Sequence, residues 1–322
     1  MIRGLLKDNG ATYMEDNNGL VTVMLPLYRE RLEHAEAAIR SIVNQTYRNL
    51  EVLLFLDDPE NDQLRQLACD FERQDGRIRL IVNESNIGLT ATLNRAIKAA
   101  HGQYLCRMDG DDVSFANRIE LQLGYLRKTG ADLVGGFCEV IDDDGRFLYN
   151  VDNIPVNPQA VKRALRWNNC VPHPTWLGNA SAFEGGYRSF PLCEDYDFLV
   201  RAELAGKTIA NCPVVVLKYR MSKCSISRTG LFRQYLAQVY LTSNYGHGRL
   251  ADIDEADAYI AARYSESKDN GYCVANGLFN EGLKLMREHH LLAAASKLFA
   301  CMLRSSGYRG KVFRLLTAAM TR

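Results

Sequence analysis

The chain has 322 residues, of which 47% are hydrophobic and 24% charged, a balance typical of a soluble globular protein. Its formal net charge is +1, so nothing globally basic points to nucleic acid as a partner. Nine cysteines without closely spaced pairs favour reduced thiols over a disulfide framework or a zinc site. The sequence begins without the apolar core of a signal peptide and has no run of about 18 apolar residues, so we expect a cytoplasmic protein without a membrane span.

Four short apolar runs predict buried strands in the first third of the chain, since each is too short for a buried helix. They are Leu20–Leu25, Val52–Leu56, Ile78–Val82 and Tyr104–Met108. The segments between them carry apolar residues at helical spacing. The predicted helices are Arg31–Gln45, Asp62–Gln74 and Leu89–Ala100. This alternation predicts an α/β fold with a parallel sheet and helices on both faces.

Beyond residue 112 the alternation becomes irregular. We predict a strand over Asp132–Ile141, a helix over Asn157–Arg166 and a strand over Val214–Tyr219. An acidic cluster, Asp142–Gly145, follows the first of these strands, and Asp-Gly between two apolar runs is a hairpin-turn signal. From about Leu231 only helices are expected. Loops between them are predicted at Gly246–Gly248 and at Asn270–Gly271.

Polar residues follow three of the predicted strands, in the segments Pro26–Glu30, Asp57–Asp62 and Asp109–Asp112. Ligands of such sheets bind beyond the carboxyl ends of the strands, so these segments should meet at one edge. The carboxylates of Asp109–Asp112 repel one another unless a cation lies among them. Mg²⁺ and Mn²⁺ prefer carboxylate and phosphate oxygens. The cluster therefore predicts a metal-bridged phosphate site, with a solvated turn as the alternative.

Several blocks between Val21 and Ser227, about two thirds of the chain, occur in the order of a known family. They are Val21–Tyr28, Ser41–Tyr47, Asn86–Gly102, Met108–Asp112, Gly185–Tyr187 and Glu194–Asp197. Together they resemble family 2 glycosyltransferases, most closely bacterial enzymes that build surface polysaccharides. The resemblance implies the GT-A fold, a Rossmann-like, mostly parallel sheet flanked by helices, here with a C-terminal helical extension.

The resemblance also implies an inverting transfer of a hexosyl or N-acetylhexosaminyl group. The donor would be a nucleotide diphosphate sugar, UDP-linked by analogy, and the acceptor a hydroxyl of a glycan or lipid-linked glycan. We place the domain boundary near residue 228. The nucleotide-binding half then spans about residues 20–112, the acceptor half about 113–228, and the helical region 229–322.

The donor site implied by the resemblance lies at the strand ends. Its nucleotide-binding residues are Pro26, Tyr28, Glu30, Asp57, Asp58, Asn86, Gly88, Asn94, Asp109 and Gly110. Asp109 and Asp111 would hold Mg²⁺ or Mn²⁺, and Asp112 would support the loop. Arg118 would contact phosphate or support that loop. The family usually continues Asp57-Asp58 with Gly-Ser where this chain has Pro59-Glu60, so a helix-capping role for Asp57 stays open.

On the acceptor side, Asp195 matches the family's general base and Glu194 is the second candidate. The alternative for Asp195 is a plain helix N-cap. His173 and Trp176 would line the acceptor or sugar pocket, with a structural hydrogen bond and a place in the core as their alternatives. Ser222 stands where many relatives have a histidine that joins the metal shell, which predicts weaker metal binding.

Residues 301–322 contain five Arg or Lys and no acid, with Phe313, Leu315 and Leu316 interleaved. Such a segment can lie on an anionic membrane, here as a peripheral contact at the inner face. The alternative is a helix packed on the catalytic domain. Two other functions stay open: a catalytically weak nucleotide-sugar-binding protein and a nucleotidyltransferase. The latter would usually carry a Gly-rich, basic phosphate loop near the first strand, which this sequence lacks.

Overall fold

The computed structural model describes residues 19–221 and 230–320, where the strands form one mixed sheet. The strands are β1 Val21–Leu27, β2 Leu50–Leu56, β3 Ile78–Val82, β4 Tyr104–Arg107, β5 Val113–Ser114, β6 Leu133–Ile141, β7 Phe147–Val151, β8 Leu177–Asn179 and β9 Ile209–Arg220. The helices are α1 Leu32–Val43, α2 Asp62–Gln74, α3 Leu89–Ala99, α4 Arg118–Thr129, α5 Pro158–Ala164, α6 Glu194–Leu204, α7 Leu231–Gly246, α8 Ile253–Arg263, α9 Glu266–Arg287, α10 Leu291–Arg304 and α11 Ser306–Met320.

The strand order is β3-β2-β1-β4-β8-β6-β9-β5, with β7 paired to β6. The first four strands are parallel, and Val23 of β1 pairs with Val52 of β2 and Cys106 of β4. The short strand β8 then runs antiparallel between β4 and β6. The predicted parallel sheet is therefore confirmed for β1 to β4, and β6 and β9 add a second parallel pair.

Alternating side chains of β1 supply two apolar layers, one on each face of the sheet. Val23 and Leu25 lie in one core cluster together with residues of α1, α2 and α4. Met24 lies in the other cluster, which continues through α3, α5 and α6 into the C-terminal helices, where Tyr272 and Tyr308 are buried. Because strand side chains alternate between faces, a continuous apolar run is what burial on both faces requires. The C-terminal helices thus share a core with α3, α5 and α6.

Most predicted elements are found within one or two residues of their expected ends, but one loop was wrong. Asn270–Gly271 lies inside α9, which is continuous over Glu266–Arg287. A Cβ at Gly271 would lie 3.5 Å from the main-chain oxygen of Arg304, so the glycine sits where α10 ends against α9. Packing of neighbouring helices offsets the cost of about 1 kcal/mol for a mid-helix glycine. The loop at Gly246–Gly248 is confirmed.

The hairpin turn is also confirmed, because β6 and β7 pair antiparallel across Asp142–Arg146 and Gly145 has a φ of 80°. No disulfide joins the cysteines within residues 19–221 and 230–320. In the same part of the chain, none of the helices combines the length and apolarity that crossing a bilayer requires.

Candidate active site

A buried arginine binds the acidic loop that follows β4. Arg107 is only 2% exposed, and its guanidinium donates to both carboxylate oxygens of Asp109, one of them at 2.8 Å. The Asp109 side chain keeps 28% of its surface exposed, so it remains open to a ligand. Sequence reasoning missed Arg107. The available signal was a cation inside an apolar run, because arginine is rarely buried without a partner.

The other two carboxylates of the loop lie in different environments. Burial and the neighbouring Asp109 charge raise the pKa of Asp111 to about 6. Asp112 is fully buried, and its Oδ1 accepts a hydrogen bond from the main-chain nitrogen of Arg220 at 2.8 Å. Its Oδ2 has no hydrogen-bond partner among the described residues. The inward position of Asp112 fits the predicted supporting role.

Arg220, the last residue of β9, joins this loop to the hairpin turn. Its guanidinium donates to the main-chain oxygen of Asp111 at 2.8 Å and to those of Asp142 and Asp143 at 3.0 Å each. The second acidic cluster therefore contributes carbonyl oxygens to this network rather than carboxylates. The two acidic sequences are neighbours in space, which their separation along the chain did not indicate.

The end of β1 lies against the same loop. A Cβ on Gly110 would come within 2.8 Å of the Pro26 oxygen and 3.2 Å of Glu30 Cδ, so glycine permits this close approach. The carboxylate of Glu30 accepts from the main-chain nitrogen of Tyr28 at 2.7 Å. Burial, with smaller contributions from the nearby loop carboxylates, raises the pKa of Glu30 to about 7. The structure therefore brings together the predicted residues of the first and fourth strand ends.

The carboxylate of Asp57 accepts hydrogen bonds from the segment that precedes α3. Its Oδ1 accepts from Asn83 Nδ2 at 2.6 Å and from the Ile87 nitrogen at 2.9 Å, and its Oδ2 accepts from the Gly88 nitrogen at 2.9 Å. The helix-cap alternative is wrong, because the cap of α2 is Asn61. Asp57 holds a loop in place, while its neighbour remains available to a ligand.

That neighbour, Asp58, lines an open cavity of about 470 Å³ at the ends of β1 and β2. Its carboxylate pairs with Arg29 at 2.9 Å, and the Arg29 guanidinium lies 4.8 Å from the centre of the Tyr28 ring. Glu60 and Asn61 also line the cavity. The cavity is thus lined by hydrogen-bond acceptors and a guanidinium, and an aromatic ring lies against that guanidinium. Groups of these kinds could contact a base or ribose.

Asn86, Gly88 and Asn94 shape main-chain segments around α3. Asn86 Oδ1 accepts from the Gly88 nitrogen at 3.0 Å, and Gly88 has a φ of 81°, which favours glycine. Asn94 donates to the Tyr187 oxygen at 2.8 Å and accepts from its nitrogen at 2.7 Å. Asn94 thereby fixes the Gly186–Tyr187 segment.

Asp195 is the second residue of α6 and is held from a neighbouring loop. Asn169 Nδ2 donates to its Oδ2 at 2.8 Å. Burial, and next the charge of Glu194, raises the pKa of Asp195 to about 6. The N-cap alternative is wrong, since the N-cap position of α6 is Cys193 and the main-chain nitrogen that donates to Asp195 Oδ1 is that of the adjacent residue, Tyr196. A half-buried, oriented carboxylate with a raised pKa has the properties of a general base.

His173 and Trp176 lie in an aromatic cluster beneath the site. Trp176 is fully buried and its Nε1 donates to the Val171 oxygen at 3.1 Å, so the core position considered as its alternative is the one observed. The ring nitrogen Nε2 of His173 lies 2.8 Å from the Tyr187 hydroxyl. Burial lowers the pKa of His173 well below its usual range, which keeps the ring neutral. Both side chains support the neighbouring walls, and Trp176 offers no exposed face for stacking.

Arg107 electrostatically connects the two sides of this region. Its charge offsets part of the rise in the pKa of Asp195 that burial and Glu194 cause, and it pairs with Asp109. Arg118 is fully buried, and its Nη2 donates to the main-chain oxygens of Arg107 at 2.8 Å and Pro174 at 3.0 Å. Arg118 therefore supports the loop, which was one of its two predicted roles.

The donor set suits a hard divalent cation that is shared with a substrate phosphate. Asp109 and Asp111 present carboxylates, and Asp112 has an unpartnered buried oxygen. Magnesium sites of this kind use one or two carboxylates together with phosphate oxygens. Within the described ranges, no group of three or more His, Cys, Asp or Glu side chains is arranged so that it could hold a metal ion by itself. Ser222, predicted to replace a metal-shell histidine, lies outside the described residues.

Comparison with known proteins identifies the family. Residues 22–185, just over half of the chain, match the family described as Glycosyl transferase family 2. The WfgD protein of Escherichia coli, a UDP-Glc:alpha-D-GlcNAc-diphosphoundecaprenol beta-1,3-glucosyltransferase, is 32% identical, with 70% of this chain and 92% of WfgD covered. The O-antigen biosynthesis glycosyltransferase WbnJ of Escherichia coli is 26% identical, with 66% and 84% covered. The chain belongs to glycosyl transferase family 2.

Solved structures agree on the fold. The S. aureus TarS fragment 1–349 in complex with UDP-GlcNAc superposes with a TM-score of 0.59 at 14% identity, covering 94% of this chain and 90% of that one. The same fragment with UDP gives a TM-score of 0.57 at 15% identity, covering 90% and 91%. The protein is a GT-A glycosyltransferase with a C-terminal helical region, as the family blocks predicted.

Proposed function

We propose that the protein transfers a sugar, with inversion, from a nucleotide diphosphate sugar to a hydroxyl of a glycan acceptor, with Asp195 as the general base. One observation carries this proposal. The half-buried carboxylate of Asp195 is held by Asn169 at 2.8 Å, and the charge of Arg107, the same arginine that binds Asp109, favours its ionised form. This coupling supports an arrangement in which a base and a diphosphate-binding loop flank one region, as a single displacement requires.

The donor nucleotide would lie across the ends of β1, β2 and β4. Asp58 lines the open cavity, and the Tyr28 ring lies against Arg29, another lining residue, so we propose that these two residues meet the base and ribose. Asp57, Asn86 and Asn94 contribute by fixing the loops around them. UDP is the favoured nucleotide, because the name of WfgD specifies UDP-Glc and TarS was solved with UDP-GlcNAc.

Asp109 and Asp111 would hold Mg²⁺ or Mn²⁺, which when bound neutralises charge on the leaving diphosphate. Two arginines position the side chain of Asp109 and the main chain at Asp111. Arg107 orients Asp109 through two hydrogen bonds, and Arg220 fixes the main chain at Asp111. Opposite charges about 4 Å apart attract by roughly 4 kcal/mol at an effective dielectric near 20, so such a site influences the barrier substantially.

Asp195 would take the acceptor proton while the acceptor oxygen attacks the anomeric carbon. The bond between that carbon and the diphosphate oxygen breaks in the same step, and the nucleoside diphosphate leaves. A pKa of about 6 keeps most of Asp195 ionised at neutral pH while retaining more basicity than an ordinary aspartate. Glu194, whose charge contributes to that pKa, is the candidate for an acceptor contact.

The acceptor is proposed to be a glycan or a lipid-linked glycan. WfgD is named for a diphosphoundecaprenol-linked acceptor, and WbnJ for O-antigen biosynthesis. A peripheral membrane contact through α11 would fit such an acceptor. Phe313, Leu316 and Met320 leave over half of their surface exposed on that helix. Co-sedimentation with anionic liposomes should decrease in Phe313→Ser/Leu316→Ser; unchanged sedimentation would remove this part of the proposal.

A nucleotide-sugar screen tests the proposed function. Each candidate would be scored for thermal stabilisation and for metal-dependent hydrolysis, with Asp111→Asn as the site variant. Asp144→Asn is the matched control, because it changes an exposed acid of the hairpin turn. We expect one or a few UDP-sugars to stabilise the wild type and Asp144→Asn but not Asp111→Asn. If no nucleotide sugar binds, or if Asp111→Asn binds and turns over normally, the proposal is wrong.

A further inference from the structure

A second cavity, of about 110 Å³, lies between the C-terminal helices and the loop after α5. It has room for a group larger than one water molecule. Its lining residues are Asn168, Leu231, Gln234, Tyr235, Gln238, Tyr272, Lys311, Arg314 and Leu315. Two of these are cations and none is an acid, so the lining has an uncompensated positive charge.

Both cations belong to α11 and point inward. Arg314 Nη1 donates to Thr242 Oγ1 at 2.6 Å, whereas its Nη2 is buried without a hydrogen-bond partner among the described residues. Lys311 Nζ donates to Asn276 Oδ1 at 3.3 Å and lies 5.1 Å from the centre of the Tyr308 ring. Neither cation forms an ion pair within residues 19–221 and 230–320. Burying such charges unpaired costs several kcal/mol, so a counter-ion would be strongly favoured.

The remaining polar lining consists of neutral groups that can donate hydrogen bonds. Gln238 and Asn168 carry amide NH₂ groups and Tyr235 carries a hydroxyl, whereas the Gln234 amide already donates to the Leu192 oxygen at 3.1 Å. Burial lowers the pKa of both Lys311 and Arg314, as expected for cations without a carboxylate partner. Cations surrounded by neutral donors form the environment that phosphate oxygens prefer.

The cavity also adjoins the segments that hold Asp195. Asn168 precedes Asn169, whose side chain donates to Asp195. Gln234 lies on the other side, where its main-chain oxygen is 3.8 Å from the sulfur of Cys193, the N-cap residue of α6. An anion bound between these segments would therefore lie next to the acceptor side of the site.

We propose that this cavity binds a phosphate or diphosphate group through Lys311 and Arg314. The group can come from a free anion or from the diphosphate of a lipid-linked acceptor. The second source rests on the proposed function, whereas anion binding itself does not. Two of the cations that suggested a membrane-facing basic helix are thereby assigned to the interior of the protein.

The first test is anion-dependent thermal stability, measured with inorganic pyrophosphate in the presence of EDTA. EDTA removes divalent cations, so the negatively charged carboxylates of Asp109–Asp112 would repel pyrophosphate. Binding at the donor loop is thereby excluded as the cause of a shift. We expect pyrophosphate at about 100 times its Kd to raise the Tm of the wild type by several degrees, roughly 4–8 °C. The double variant Lys311→Met/Arg314→Gln should lose this shift. Arg309→Gln, an exposed cation of the same helix, is the matched control and should keep it.

The ligand-free double variant separates a binding role from a structural one. Because the two cations are not ion-paired, we expect the Tm without pyrophosphate to be unchanged or higher. Asp111→Asn should retain the pyrophosphate shift. The proposal is overturned if the wild type shows no shift, if the double variant retains it, or if Asp111→Asn loses it.

A second arm identifies the source of the phosphate. It compares the KM of a diphosphate-linked acceptor with that of the same sugar on a phosphate-free alkyl chain. If the double variant raises the KM of the diphosphate-linked acceptor alone, by about tenfold or more, the cavity binds the diphosphate of the acceptor. If the double variant leaves the KM of both acceptors at the wild-type value but loses the pyrophosphate shift, the cavity is assigned to a free anion. Donor hydrolysis by the wild type and by Arg309→Gln is measured alongside, so a failure of the proposed function is recognised separately from a failure of anion binding.

Discussion

The Arg107 guanidinium binds both carboxylate oxygens of Asp109, and its charge offsets part of the rise in the pKa of Asp195 that burial and Glu194 cause. One buried cation therefore acts on the donor loop and on the proposed base. Its own main-chain oxygen is fixed by Arg118 at 2.8 Å. The position of this charge is thus set by the fold, before any substrate binds.

Arg107→Met should destabilise the protein and alter its pH dependence. Removing one partner of a buried pair leaves Asp109 unpaired beside Asp111, so we expect the free energy of unfolding to fall by about 3 kcal/mol. The acid limb of kcat/KM should move to higher pH, because the charge that favours ionised Asp195 is gone. Arg107→Lys keeps the charge and should shift the limb less. A limb at the same pH in all three proteins would contradict the electrostatic connection.

Asp195→Asn should abolish transfer without weakening the fold. Loss of a general base costs about 10²–10⁴-fold in rate. Because folding raises the pKa of Asp195, the protonated carboxyl favours the folded state and the ionised carboxylate opposes it. The stabilising contribution of the protonated form is full below about pH 4 and is lost as the pH rises through about 6. At pH 7.5 the neutral amide should therefore leave the free energy of unfolding unchanged or raise it by about 2 kcal/mol.

Asp197, two residues further along α6, provides the matched comparison. It is fully buried and pairs with Arg188 and with Arg201. Asp197→Asn should lower the free energy of unfolding by about 3–5 kcal/mol and leave the folded fraction active. Urea denaturation and initial rates separate the two variants. If Asp195→Asn were the more destabilised and remained active, Asp195 would be a structural residue.

The pH–rate profile should have an acid limb near pH 6. Because burial and Glu194 raise the pKa of Asp195 to about 6, log(kcat/KM) should fall with unit slope below that pH. Asn169→Ala removes a donor to the ionised carboxylate, so its limb should lie roughly 0.5–1 pH unit higher. A profile that stays flat down to pH 4.5 would exclude Asp195 as the titrating base.

Arg220→Gln should loosen the acidic loop and the hairpin turn together. It removes donors to three main-chain oxygens in a largely buried site, and we expect a loss of about 2–4 kcal/mol in the free energy of unfolding. Arg146→Gln, at an exposed ion pair in the same hairpin, should change it by under about 1 kcal/mol. Equal losses in the two variants would show that Arg220 does not join these segments.

The sequence predicted elements whose signals are local. Periodic apolar residues located β1 to β4 and α1 to α3, and the Asp-Gly pair located the β6–β7 turn. The short strands β5 and β8 were missed, because two or three residues carry no recognisable period. The loop predicted at Asn270–Gly271 was wrong, since contact with α10 decides the conformation there.

The site was less predictable, because its contacts join distant parts of the chain. Asp109, Asp111 and Asp195 could be selected as carboxylates in family blocks. Nothing local indicated that Asn169 holds Asp195 or that Arg220 reaches the acidic loop, whereas the buried Arg107 beside Asp109 carried a local signal that was missed. The oxygens of Asp57 are taken up by a loop 30 residues away, which only the folded chain reveals.

The anomeric configuration of the first product tests single displacement at Asp195 most directly. Water can replace the unknown acceptor, so a UDP-sugar with an α-linkage would be hydrolysed and followed by ¹H NMR before mutarotation. We predict that the β-anomer of the free sugar appears first, and that Asp195→Asn forms it at least about 100-fold more slowly. Initial release of the α-anomer would show retention and contradict the proposed mechanism.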